Sequence, residues 1–83
     1  MKENIVSVNA KEENVRQLES MRKNLKKLRE SQDWSIEYLS NVAGINEKIL
    51  TQIEEGQDFE VRYLIRLCGI YNVKPREIFS HTI

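Results

Sequence analysis

The chain has 83 residues, with 13 Lys and Arg balanced by 13 Asp and Glu, and it is 40% hydrophobic and 31% charged with one Pro and three Gly. That size and mix describe one small folded soluble domain, which buries only about 60% of its chain surface and so gains from a partner subunit. The single Cys68 cannot form an internal disulfide, no apolar run reaches the ~18 residues of a membrane span, and the first residues lack a signal-peptide core, so a secreted or membrane-spanning protein is excluded and a cytoplasmic location expected.

The same inventory argues against catalysis. A lone His81 and a lone Cys68 supply no cluster for zinc, and Gly44, Gly56 and Gly69 are too widely spread to cradle a phosphate. The carboxylates are those of solvated helix faces, with no pair spaced as an acid and base. No cofactor, metal or membrane partner is expected, and the chain reads as a binding module rather than an enzyme.

Taken in order, Ile5, Val6 and Val8 stand among polar neighbours as an arm or a short strand. From Asn9, with Glu12 at capping-box spacing, the pattern becomes helical, and Val15, Leu18, Met21, Leu25 and Leu28 line one face. The stripe runs either unbroken from about Ala10 to Ser31, or is divided by Ser20 capping a shorter helix from Met21. On this basis residues 1–20 form an arm or an extension of the first helix, and residues 21–83 form the domain. Ser35 is an N-cap, with Trp34 and Leu39 at the positions of a hydrophobic staple, for a helix that turns Ile36, Leu39, Val42 and Ala43 inward and stops at Gly44. The arrangement repeats with Asn46 as cap, Ile45 and Leu50 as staple, and a helix to about Glu55 stopped by Gly56. Only two or three residues separate these helices, so they meet at a sharp angle.

Beyond a loop over Gln57 to Glu60, Asp58 is a candidate cap for a helix carrying Val61, Leu64, Ile65, Leu67, Cys68 and Tyr71 to about Asn72. Gly69 inside that helix costs roughly 1 kcal/mol against Ala, which close packing of a neighbour would offset. Pro75 suits the first position of a last short helix through Glu77 to Phe79. The expected fold is an all-α bundle of five helices with an N-terminal arm or helical extension, and without internal repeats or linkers.

Two short helices joined through a Gly and packed among three others form the helix-turn-helix plan. The joint spacing of Leu25-x-x-Leu28-Arg29, Ser35-x-x-x-Leu39, Gly44-Ile45-Asn46, Ile53-Glu54-x-Gly56, Leu64-x-x-Leu67-Cys68 and Asn72-Val73 resembles the phage repressor/Cro type of helix-turn-helix domain, the xenobiotic-response-element family of bacterial regulators, over about two-thirds of the chain. The resemblance implies a lambda-repressor-like bundle and a sequence-specific DNA-binding transcriptional regulator. It also implies a structural ion pair between Arg29 and Glu54.

In that family the positions of Glu47, Lys48 and Gln52 face base edges. Lys48 can donate to guanine, Gln52 can pair with adenine, Glu47 can accept from a cytosine amine, and Ile49 can touch a thymine methyl. Asn46 and Thr51, together with Arg22, Lys23 and Lys26 of the first helix, are the candidate phosphate contacts. Each has a plainer role as well: Asn46 caps, Glu47 suits the first turn of any helix, Ile49 sits at the core margin, and the others suit a solvated face. Double-stranded DNA and a second copy of the chain are the expected partners, because operator symmetry mirrors protein symmetry. Val73, Ile78, Phe79 and Ile83, or Val15 and Leu18, are the candidate dimer contacts.

Two departures from the family pattern stand out. Ile36 replaces the Gln that commonly anchors to phosphate at the second position of the helix before the turn. The loop after Gly56 is one residue short and supplies Gln57, Asp58 and Glu60 where basic or neutral residues are common. From Asp33 to Glu60 seven acids face Lys48 alone, a net charge of −6, against +3 in residues 1–32 and +3 in residues 61–83. Because neutralising phosphates drives much of DNA affinity, this segment supports a second reading: a helix-turn-helix scaffold for protein–protein contact, such as an antirepressor or accessory subunit, with weak or no DNA binding.

Overall fold

A computed structural model of the chain describes residues 7–8 and 15–79. Their order is β1 (Ser7–Val8), α1 (Val15–Ser31), α2 (Ile36–Ala43), α3 (Glu47–Glu54), β2 (Phe59–Glu60), α4 (Val61–Tyr71) and α5 (Pro75–Ile78). The five-helix bundle is the expected one. The proposed Asn9 and Glu12 capping box lies outside the described residues, but α1 runs through Ser20 without a break.

Helix α1 turns Met21 and Leu25 into the core and rests Leu18 and Leu28 on its edge. Asn24 is buried on the same helix and donates from Nδ2 to the carbonyl of Ile78 at 2.9 Å, which ties α1 to α5. The helix ends where Asp33 adopts φ of 61° and the Trp34 amide turns back to the Arg29 carbonyl at 3.2 Å.

The short helices are set by their ends, as the caps predict. Ser35 Oγ accepts the Tyr38 amide at 3.0 Å, and Gly44 closes α2 at φ of 67°, a left-handed conformation that a Cβ would strain. Arg66 of α4 reaches the carbonyl of Gly44 at 3.2 Å and so covers the free acceptors at this end. Asn46 Oδ1 accepts the Lys48 amide at 2.7 Å and starts α3. The inner faces of Leu39 and Ala43 on α2, and of Leu50 and Ile53 on α3, then meet Leu64 and Leu67 of α4 in one core.

Several expectations are corrected. Val42, expected inward, is 43% exposed, because the two-turn α2 is held by Leu39 and Ala43; on α4 the buried edge is Leu64, Leu67 and Cys68, and Ile65 is 55% exposed. Asp58 is not the cap of α4: Phe59 and Glu60 form a strand, Glu60 takes the cap position, and it makes no side-chain cap bond. Ile78, offered as a dimer contact, is 0% exposed and belongs to the monomer core. Ile83 lies outside the described residues.

Gly69 has no close neighbour either, since a Cβ built there would meet nothing within 4 Å. Gly69→Ala is therefore expected to stabilise the protein by about 0.5–1 kcal/mol, raising the thermal midpoint by several degrees in a calorimetric scan.

The arm expected at the N-terminus contributes a strand. Ser7 pairs with Glu60 and Val8 with Phe59 in an antiparallel ladder. This places the N-terminal strand beside the residues that follow α3, and Phe59 is itself buried in the core.

Candidate nucleic-acid interface

The geometry of α3 follows from its two faces. Leu50 and Ile53 are fixed in the core, which leaves Glu47 and Lys48 exposed and Thr51 and Gln52 half-buried on the other side. Ile49 rests against the core at its margin. Glu47, Lys48, Thr51 and Gln52, four of the residues singled out in the sequence, form the outer ridge of α3 opposite Leu50 and Ile53, and border one shallow depression with Glu55 and Gln57. Asn46 stands exposed at its start, with its side chain engaged as the cap.

The far end of α3 is anchored by charge. Arg29 donates from Nε to Glu54 Oε2 at 2.8 Å and from Nη2 to Oε1 at 2.9 Å, and from Nη1 to the Trp34 carbonyl at 2.7 Å. The two side chains are only 12% and 10% exposed, and the hydrogen bonds to Glu54 hold the guanidinium above its ordinary pKa despite burial. One residue therefore joins α1, the loop before α2, and the C-terminal end of α3. Trp34 stacks on Tyr71 with centroids 6.0 Å apart, closing the aromatic side of this junction. Burial pushes the Tyr71 hydroxyl up to about 12, so the ring stays neutral beside the pair.

The three candidate phosphate contacts on α1, Arg22, Lys23 and Lys26, are not equivalent. Arg22 lies against the turn after α3, with Cδ 3.2 Å from where a Gly56 Cβ would stand, and Gly56 itself has φ of 85°. Its guanidinium also meets Glu19 at 3.9 Å. Lys26 follows one turn later on the same side of α1, whereas helical spacing turns Lys23 away from the core. Ile36 is half-buried against the core, and its apolar side chain offers no hydrogen bond.

Two residues beside the ridge were not singled out by sequence reasoning. Arg62 and Tyr63, in the first turn of α4, line a second depression of about 260 Å³ with Ile49, Gln52, Phe59 and Glu60. Nothing in the local spacing of α4 signals this, because the two residues meet Ile49 and Gln52 only through tertiary packing.

Among the described residues, no group of His, Cys, Asp and Glu is placed to hold a metal, and no helix is long and apolar enough to cross a membrane. A helix-turn-helix family model matches residues 25–78, well over half the chain. The chain belongs to the helix-turn-helix family of phage repressor/Cro type, whose domains bind DNA in transcription regulation and are not enzymes. Comparison with curated proteins and with solved structures gives no match.

Proposed function

We propose that the protein is a sequence-specific transcriptional regulator that lays the Asn46–Glu55 helix in the major groove and acts as a homodimer on a two-fold-related operator. The observation that carries this reading is the outer ridge of α3, whose polar side chains project from a helix held on its other side by Leu50, Ile53 and Glu54. Lys48 and Gln52 supply the donors that read guanine and adenine, Glu47 accepts from cytosine, and Ile49 meets a thymine methyl. Asn46, Thr51, Arg22, Lys23 and Lys26 are the phosphate contacts, with Arg22 lying against the turn that follows the recognition helix. One such helix buries little surface, and pairing two copies doubles it while matching the operator's symmetry. A monomer by sedimentation at micromolar concentration refutes the dimer.

The test is selection of bound fragments from a genomic library, followed by titration of the selected duplex with Lys48→Ala and Gln52→Ala. Each substitution is expected to weaken specific binding by about 1–3 kcal/mol and to relax preference at one base position, with unchanged circular dichroism. Equal affinity for selected and scrambled duplexes in the unaltered protein refutes specific reading.

The net charge of −6 between Asp33 and Glu60 favours one alternative, a scaffold for protein–protein contact. Salt separates the two: phosphate binding weakens steeply as salt rises, whereas no binding even at low salt supports the scaffold.

A further inference from the structure

We infer that Arg62 is a contact to the DNA backbone that Glu60 restrains, so that an internal carboxylate competes with a phosphate for the same guanidinium. The inference rests on the proposed DNA-binding reading, and its basis is the depression shared by Arg62, Tyr63, Glu60, Ile49 and Gln52.

Gln52 belongs both to this depression and to the outer ridge of α3, so Arg62 borders a depression that adjoins the recognition face. An α-helix with its side chains is about 10–12 Å across and the major groove is about 12 Å wide. A helix seated there has a phosphate strand along its flank, and a long cationic side chain beside Gln52 projects towards that strand. The short acidic loop after Gly56 offers no cation of its own: Gln57, Asp58 and Glu60 intervene before Arg62.

The resting contacts of Arg62 are those of a restrained but available group. Its side chain is 67% exposed. Nη2 donates to the Tyr63 hydroxyl at 3.2 Å, and the guanidinium carbon lies 5.0 Å from the Tyr63 ring centroid. These contacts limit the rotamers of a flexible side chain and so lower the entropy lost on binding. Glu60 Oε1 is 2.7 Å from Arg62 Nε in a poorly aligned contact, so the pair is chiefly an attraction of charges. A phosphate offers the same guanidinium two oxygens in a bidentate fork. On DNA, Arg62 exchanges one anion for the other and no covalent bond changes.

The experiment is fluorescence anisotropy of the full chain on a labelled 30-base-pair duplex of mixed sequence, across a salt series. Unaltered protein, Arg62→Ala, Arg62→Lys, Glu60→Gln, the Arg62→Ala/Glu60→Gln double variant and Lys48→Ala are compared, each checked for folding by thermal melt. Arg62→Ala is expected to weaken binding about threefold to tenfold and to lower the slope of log affinity against log salt by about 1, while Arg62→Lys retains the slope. Glu60→Gln is expected to tighten binding about threefold to tenfold, and most of that gain should disappear in the double variant. An unchanged slope in Arg62→Ala, with Lys48→Ala still weakening binding, overturns this inference and leaves the DNA-binding reading standing. A Glu60→Gln gain of the same size with and without Arg62 overturns the restraint, since Glu60 then acts only by repelling phosphate. No binding by any of the proteins at low salt overturns the DNA-binding reading and this inference with it.

Discussion

Arg29→Ala is expected to lower the free energy of unfolding by about 3–5 kcal/mol, the cost of leaving a buried carboxylate without its partner. Arg29 and Glu54 are almost fully enclosed, and the substitution also removes the donor to the Trp34 carbonyl, so three hydrogen bonds are lost together. For a domain of this size each kcal/mol moves the thermal midpoint by about 4–8 °C. Urea titration should therefore show either a midpoint far below that of the unaltered protein or a chain already unfolded without denaturant. Glu54→Gln keeps an acceptor for Arg29 and should cost less. The double replacement Arg29→Met with Glu54→Leu should recover much of the loss, because the large penalty comes from the orphaned charge rather than from the absence of the pair. A loss under 1 kcal/mol for Arg29→Ala would mean that water reaches Glu54 freely.

The second large effect is expected at Ile53, which is 0% exposed on the inner face of α3. Ile53→Ala should cost about 2–5 kcal/mol through lost transfer energy and the cavity left behind, and Ile53→Val about 0.5–1.5 kcal/mol. Since a small domain holds only about 5–15 kcal/mol in all, the alanine variant consumes a large part of it. The functional consequence follows from geometry. Ile53 follows Gln52 directly in the sequence, so a recognition helix that settles into the cavity also moves the side chains of the outer ridge. Binding measured on the selected duplex should then fall more than the unfolded fraction accounts for. If affinity corrected for that fraction is unchanged, the ridge is fixed by the caps and the Arg29–Glu54 pair alone.

Features decided within a few residues were legible in the sequence. Ser35, Gly44 and Asn46 act through hydrogen bonds or backbone conformations local to their own turns, and the structure has them in those roles. The inward set of α3 followed from helical spacing for the same reason. What needed knowledge of distant neighbours was misjudged. Val42 fits an apolar stripe by spacing, but α2 is held by the narrower face of Leu39 and Ala43. Ile78 stands in the last short helix, but its side chain is enclosed in the core and Asn24 ties its carbonyl to α1. The candidate site divides along the same line. Its residues on α3 and α1 are separated by regular spacing along single helices, whereas Arg62 shares a depression with Gln52 only through the tertiary placement of the start of α4.

The β1–β2 ladder joins residues about fifty positions apart, so it draws the interval containing the whole motif into a closed loop. Pairing at such separation is delayed in folding by the entropy of closure, and the strand at Ser7 and Val8 is expected to join after the first three helices have packed. A two-residue ladder should also be among the first elements to open in the native protein. Hydrogen exchange at the backbone of Ser7 and Val8 would thus respond to the condition of the segment after the recognition helix while leaving that helix unaltered. The beginning of the chain becomes a remote gauge of the site's surroundings, and a bulky label placed there would disturb the very region it was meant to observe.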